Sequence, residues 1–221
     1  RYLPEINFDL PLGALNISGE ASANLVGSNT FSADSSIWED NLDPYRLWIK
    51  LSGDQFEIRA GLQKINFGSA NMIRPLMWFD QIDPKDPLQL TNGVYGLLGR
   101  YYFLNNANIW LWGLYGNNEV KGLEVIPTTE KTIEYGGRLQ LPLPIGEIAA
   151  TYHHRKADPG MVNIPSTTEG TKIPENRYAL DFKIDAVVGL WFEGAIIQKQ
   201  WDLLLASTST LINGGIDYTL G

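Results

Sequence analysis

The chain has no cysteine, only two histidines, and no Lys/Arg-rich cluster. Without thiols there is no disulfide scaffold, no thiolate zinc site and no cysteine nucleophile. Neutralising phosphates needs concentrated positive charge, so a chain of net charge −8 is not expected to bind nucleic acid. Long apolar runs are also missing. The nearest candidate, Ile109–Tyr115, falls far short of the roughly 18 residues that a transmembrane helix needs. That excludes a membrane helix but not a membrane strand, which crosses with about 10 alternating residues. Phosphate-loop and dinucleotide glycine motifs are absent, and no cofactor is expected. Charged residues make up 19% and aromatic residues 11%, a composition unlike that of a disordered chain.

What is present is alternation with period two. Tyr45, Leu47, Ile49 and Leu51 alternate with Arg46, Trp48 and Lys50. Phe56, Ile58, Ala60 and Leu62 alternate with Gln55, Glu57, Arg59 and Gln63, within Gln55–Gln63. Thr132–Leu141 sets Ile133, Tyr135, Leu139 and Leu141 against Glu134, Arg138 and Gln140. Arg177–Asp185 sets Tyr178, Leu180, Phe182 and Ile184 against Arg177, Asp181 and Lys183. Successive strand side chains point to opposite faces, so each segment is a strand with one apolar and one charged face. Val94–Phe103, Asn108–Gly116, Ala14–Val26, Ile145–Arg155, Val188–Lys199 and Ser207–Leu220 complete about ten strands. In Asn108–Gly116 both faces are apolar, and the pattern leaves open whether Trp110 or Leu111 faces outward.

The connections alternate in length. Short turns are expected at Ser52–Asp54, Asn105–Asn106, Pro142–Pro144 and Ala186–Val187. Long ones are expected at Gly27–Pro44, Gly68–Gly93, Asn117–Glu130 and Lys156–Glu175. Short turns on one rim and long loops on the other belong to bacterial outer-membrane barrels. The expected fold is therefore all-β, an antiparallel transmembrane β-barrel of about ten or more strands, with 1–221 as one domain. Tyr2–Leu10 reads as the tail of an earlier strand and Asp217–Gly221 as a strand ending at a turn. Either strands are missing or the first and last strands close on each other, because an unpaired edge in lipid is too costly. Any export signal is expected to have been removed ahead of Arg1.

The charged face carries the candidate pore lining: Arg46, Lys50, Glu57, Arg59, Gln63, Arg100, Glu134, Arg138, Arg177, Asp181 and Lys183. A soluble barrel would place such residues outside. The outward aromatics, among them Tyr95, Tyr101, Phe103, Tyr135, Tyr178 and Phe182, cluster near strand ends instead, like the girdles at membrane interfaces. The arginines would draw anions into a pore; the stronger reading is cross-strand ion pairing that stiffens the wall. Within Gly68–Gly93, Arg74, Asp80, Asp83, Lys85 and Asp86 are candidates for a constriction loop folded into the barrel. The competing reading makes its Asp-Pro pairs plain turns. The three aspartates match no calcium-loop spacing, and no metal is expected. His153 and His154 point to opposite faces, so they cannot chelate one metal from that strand; an interfacial place near the outer rim is expected for the pair.

The run Arg59-Ala60-Gly61-Leu62-Gln63-Lys64-Ile65-Asn66-Phe67-Gly68, followed by Asp80, Asp83-Pro84 and Asp86-Pro87, resembles the strand-and-loop signature of large Gram-negative porin-like barrels. These include the alginate-export and phosphate-selective porin families. The resemblance implies a non-enzymatic diffusion channel of the bacterial outer membrane, with Arg59 and Gln63 facing the lumen and Gly68 opening an extracellular loop. Those families have larger barrels that usually close with an aromatic C-terminal residue, and this chain lacks both. The expected partners are outer-membrane lipid and small hydrophilic solutes; a homo-oligomer or a membrane-complex partner stays open. Two alternatives remain: a closed barrel acting as a scaffold, and an outer-membrane hydrolase, for which no nucleophile motif is present.

Overall fold

The computed structural model describes residues 1–32, 35–70, 74–82, 90–162, 172–200 and 207–218. The strands are β1 (Glu5–Leu12), β2 (Leu15–Ser32), β3 (Ser35–Ser52), β4 (Phe56–Gln63), β5 (Gln81–Ile82), β6 (Thr91–Asn92), β7 (Val94–Tyr102), β8 (Asn108–Tyr115), β9 (Ile133–Leu143), β10 (Gly146–Ala157), β11 (Ile173–Asp185), β12 (Gly189–Lys199) and β13 (Thr208–Asp217). Eleven of them form one antiparallel sheet in the order β1-β2-β3-β4-β7-β8-β9-β10-β11-β12-β13, while β5 and β6 pair separately. Every strand of the large sheet lies beside its neighbours in sequence. The sheet is not closed: β1 and β13 are its edges, where the sequence predicts a barrel. No helix among the described residues is long and apolar enough to cross a membrane.

The registers put the alternation to work. Lys50 lies opposite Arg59, Glu57 opposite Arg100, Arg100 opposite Trp110, and Trp110 opposite Arg138. The row of charges and indoles therefore shares one face across β3–β9. It continues through Thr151 on β10 to Ala179 on β11. The other face carries Ile49, Leu97, Leu111, Ile133, Leu139 and Leu180, all exposed. Leu111 is 64% and Ile133 63% exposed, whereas Arg138 is 4% and Glu193 0% exposed. This inverts the usual partition, in which apolar side chains go inside and charged ones outside. Trp110 and Trp112 join the charged face and Leu111 the apolar one, which resolves the ambiguity of that strand.

The connections keep to two rims. One carries the turns at 13–14, 53–55, 103–107, 144–145 and 186–188, and the other carries the long connections. At 103–107 the chain reverses with Asn106 at φ 66°, a left-handed conformation that asparagine tolerates. Gly27–Pro44, expected as a loop, is instead the outer part of a hairpin. β2 and β3 stay paired from Asn16↔Ser52 to Ser32↔Ser35. β4 pairs only with Leu47–Ser52, so the hairpin runs on alone as a two-stranded ribbon. A register shift at Ser22/Ala23 leaves Tyr45 without an opposite residue. Pro44, which has no N–H to give, sits beside that bulge, where prolines are tolerated in sheets.

The register makes a direct prediction. Leu139 and Ala150 are opposite each other on the exposed face. Because the chain has no native thiol, the pair Leu139→Cys and Ala150→Cys is expected to form a disulfide on mild oxidation. Leu139→Cys with Thr151→Cys is expected not to, since one residue of slip sends the side chain to the other face. Mass spectrometry of the unreduced protein reads both.

Candidate pore lining and constriction

Guanidiniums facing inward need partners, because burying an unpaired charge costs several kcal/mol. On β9–β12 those partners are ordered carboxylates. Arg138 on β9 reaches over β10 to Asp181 on β11, with Nη1 2.6 Å from Oδ1 and Nη2 2.8 Å from Oδ2. The residues it passes are small, Thr151 and Ala149, and Arg138 Nη1 also donates to Thr151 Oγ1 at 3.0 Å. Arg155 donates from Nε to Glu175 Oε1 at 2.7 Å and from Nη2 to Oε2 at 3.1 Å. Arg177 donates from Nε to the same Glu175 Oε1 at 2.8 Å and from Nη2 to Glu124 Oε1 at 2.7 Å. His153 is fully buried between Trp112, whose Nε1 donates to its Nδ1 at 3.2 Å, and Glu134, whose Oε2 lies 3.2 Å from Nε2. Lys121 Nζ closes this chain on Glu134 Oε1 at 2.8 Å.

Glu124 and Lys121 come from the 116–132 connection, which therefore folds into the concave face. The 64–80 connection does the same. Phe67 stacks on Trp112 with centroids 5.8 Å apart and meets Phe79 edge-on at 5.9 Å. Trp78 lies 6.1 Å from the His153 ring, and Arg138 lies over Phe67 at 5.3 Å. Leu76, Trp78, Phe79, Leu98 and Leu114 are buried in one cluster with them. Glu193 Oε1, on β12, accepts the Ala70 N–H at 2.7 Å and pins this loop to the far wall. Gly68, at φ +92°, lies so close to Glu193 that a Cβ would overlap the carboxylate. The two connections also hold each other: Gly122 N–H donates to Asp80 O at 2.6 Å, and a Cβ on Gly122 would meet Met77 O.

The β2–β7 side of the same face is less filled. Arg59 lies over the Trp48 ring at 4.6 Å and Arg100 over Trp110 at 3.7 Å. Arg100 Nη1 is 2.9 Å from Glu57 Oε1 and Arg59 Nη2 is 4.0 Å from it, close ion contacts that lack the alignment of hydrogen bonds. Lys50 has no ion-pair partner among the described residues. Arg46 Nη2 donates to Thr91 O at 2.8 Å. Arg46, Lys50, Arg59 and Arg100 here face two carboxylates, Glu57 and Glu20, and Glu20 accepts the Trp48 indole N–H at 3.0 Å.

The expected lining residues thus share one face but two environments. Glu134, Arg138, Arg177 and Asp181 are sealed into buried ion pairs; Lys50, Glu57, Arg59 and Arg100 keep some solvent contact. Gln63 is fully buried, donating to Gly96 O at 3.0 Å. Lys183 is the outlier, partly exposed near the short-turn rim beside Asp185 at 3.2 Å. In the constriction loop, Arg74 Nη1 bonds Asp80 Oδ2 at 2.7 Å, and Arg74 also bonds Asn66 Oδ1. Asp83, Lys85 and Asp86 lie outside the described residues. The expectation for His153 is overturned. It is sealed in the interior because its face is the charged one, and only His154 faces outward, against Tyr135. Lys121, Glu124, Arg155 and Glu175 complete the network without standing among the expected lining residues. Alternation carried to the ends of β10 and β11 identifies Arg155 and Glu175; nothing in the sequence brings loop residues Lys121 and Glu124 inward.

The Arg138→Met variant is expected to lose about 3–5 kcal/mol, since it strands Asp181 as a buried charge. Adding Asp181→Leu is expected to recover most of that loss. Urea titration of the folded protein measures both.

Comparison of the chain with protein-family models, with curated proteins and with solved structures finds no significant match.

Proposed function

We propose that the chain forms the wall of an outer-membrane β-barrel that works as a passive channel for small hydrophilic solutes, with a lumen narrowed by the 64–80 connection. The inverted sheet carries this reading: its exposed face is apolar across β1–β13, and its covered face holds the charges. Lipid outside and water within ask for that arrangement. Outward aromatics add support in two bands. Phe56 opposite Tyr101, and Phe182 stacked on Phe192 at 5.4 Å, lie toward the short-turn rim. Tyr95, Tyr115, Tyr135, Tyr152 and Tyr178 lie toward the long-loop rim. Strands of 8–13 residues over most of the sheet suit a tilted crossing of the hydrocarbon layer.

The solute path in this reading follows the β2–β7 wall, where Lys50, Arg59 and Arg100 are not locked into buried pairs. On β3–β7 they outnumber the one carboxylate they face, Glu57, which favours anions there; Glu20, Glu5 and Asp9 lie on the β1–β2 side of the same face. A second reading has an observation of its own. The aromatic cluster of Phe67, Trp78 and Phe79 fills the β8–β12 side, as a plug in a scaffold barrel would.

Planar-bilayer recording separates the two. A channel gives stable conductance steps, and in a salt gradient the reversal potential is expected to show anion preference that falls in Arg59→Gln/Arg100→Gln. Unchanged selectivity in that variant would remove the arginines from the path. Silence from the wild type, with conductance appearing in Trp78→Ala/Phe79→Ala, would favour the plug. The membrane itself is tested by Leu139→Arg on the outer face: a loss of about 2–4 kcal/mol is expected if Leu139 sits near the bilayer midplane. No loss from that change would sink the lipid-facing assignment.

A further inference from the structure

Eleven strands that alternate in direction leave the first and last pointing the same way. β1 runs into the turn at 13–14, and β13 leaves the long connection after β12, so both head for the short-turn rim. If these two edges met, the seam would be the one parallel ladder in an otherwise antiparallel wall. Single-chain bacterial barrels instead hold an even number of antiparallel strands. Both edges carry the exposed apolar pattern, Ile6, Phe8 and Leu10 on β1 and Ile212 and Ile216 on β13. Edges of that kind, left open in lipid, would orphan a row of N–H and C=O groups.

We propose that the free edges of β1 and β13 take up an odd number of further strands, continuous in polypeptide with this chain and antiparallel to both. The inference rests on the barrel reading above. A second copy of the chain does not meet the requirement. Rotation about the barrel axis preserves strand direction, so β1 of one copy would face β13 of the other in parallel. A two-fold axis lying in the membrane would restore antiparallel pairing but would turn the long-loop rims to opposite sides. The meander favours continuity with the chain: each strand pairs only with its sequence neighbours, and a strand added by the same rule falls on a free edge. Charge narrows its character. Glu5 and Asp9 face the inner side of β1, opposite Ser22 and Ser18, and have no ion-pair partner among the described residues. On the same face Glu57, Glu134, Glu175 and Asp181 meet Arg or Lys, whereas Glu20, Glu147 and Glu193 accept from N–H groups; by the first pattern the strand beside β1 brings basic residues inward and apolar ones outward.

Two measurements on the full-length protein in detergent or vesicles test this. Hydrogen exchange reads the alternate β1 amides that point away from β2. Oxidation reads Asn7→Cys combined in turn with Ser209→Cys, Leu211→Cys and Asn213→Cys, so that no single register hides a contact. Asn7→Cys with Glu20→Cys, which lie opposite each other, is the positive control. One intervening strand already separates the edges by about 9–10 Å, beyond the Cα distance that a disulfide bridges. Protected edge amides with no disulfide except in the control is the expected result. A photo-crosslinker placed on Asn7→Cys is then expected to capture a peptide of the same polypeptide carrying Lys or Arg. Protected amides with an intramolecular disulfide would establish direct parallel closure and overturn the proposal while leaving the barrel standing. An intermolecular disulfide, or capture of a different protein, would overturn it in favour of a copy or a partner. Fast exchange at the edge would remove the barrel itself.

Discussion

Charge turned inward is the constraint on which the rest of this structure depends. The curled sheet covers a face that carries Arg138, Arg155, Arg177, Glu175, Asp181 and Glu193, and each group must recover what it loses on leaving water. The Arg138–Asp181 pair shows how. Its partners stand two strands apart, so the side chains meet over β10 only where that strand offers Thr151 and Ala149 and where the sheet bends toward them. Small residues on the middle strand and long ones on its flanks link curvature and pairing. Removing either charge leaves the other costly, while replacing both with apolar groups is tolerated far better.

The two inward connections follow from the same demand. A concave charged face cannot be satisfied by its own strands alone when Arg155 and Arg177 share one carboxylate, Glu175. Glu124 supplies the second, and the 116–132 connection that carries it is drawn in. Its neighbour, 64–80, covers the remaining indoles and the His153 ring with Phe67, Trp78 and Phe79, and Glu193 holds it there through a backbone N–H. The interior thereby divides into a filled side at β8–β12 and a less filled side at β2–β7. Arginines on the less filled side rest on indole faces, an arrangement that keeps a guanidinium extended along the wall. The proposed path runs along this second side because charge there is still available to solute.

Several elements are legible in the sequence itself. The alternation in Tyr45–Leu51, Gln55–Gln63 and Arg177–Asp185 assigned both faces, since one residue of period settles which way each side chain points. The turn at Asn105–Asn106 was readable because asparagine accepts positive φ. Trp110 and Leu111 are both apolar, so a period of two leaves their faces open, and only pairing with Arg100 and Arg138 tells them apart. Gly27–Pro44 was expected as a long connection, yet it is paired throughout its described length, because a ribbon between two strands needs no apolar face of its own. His153 was expected with His154 near the outer rim, and it is buried because its side of β10 is the inward one.

The sequence by itself determined strand positions, the two-rim alternation of connections and the division of each strand into an apolar and a charged face. These are properties of consecutive residues and of a period of two. Only the tertiary structure decided which charges meet, which loops turn inward and that the eleven strands leave two parallel-running edges open. Those depend on register between strands and on the bending of the sheet, which bring together residues such as Ala70 and Glu193 that stand far apart in the chain.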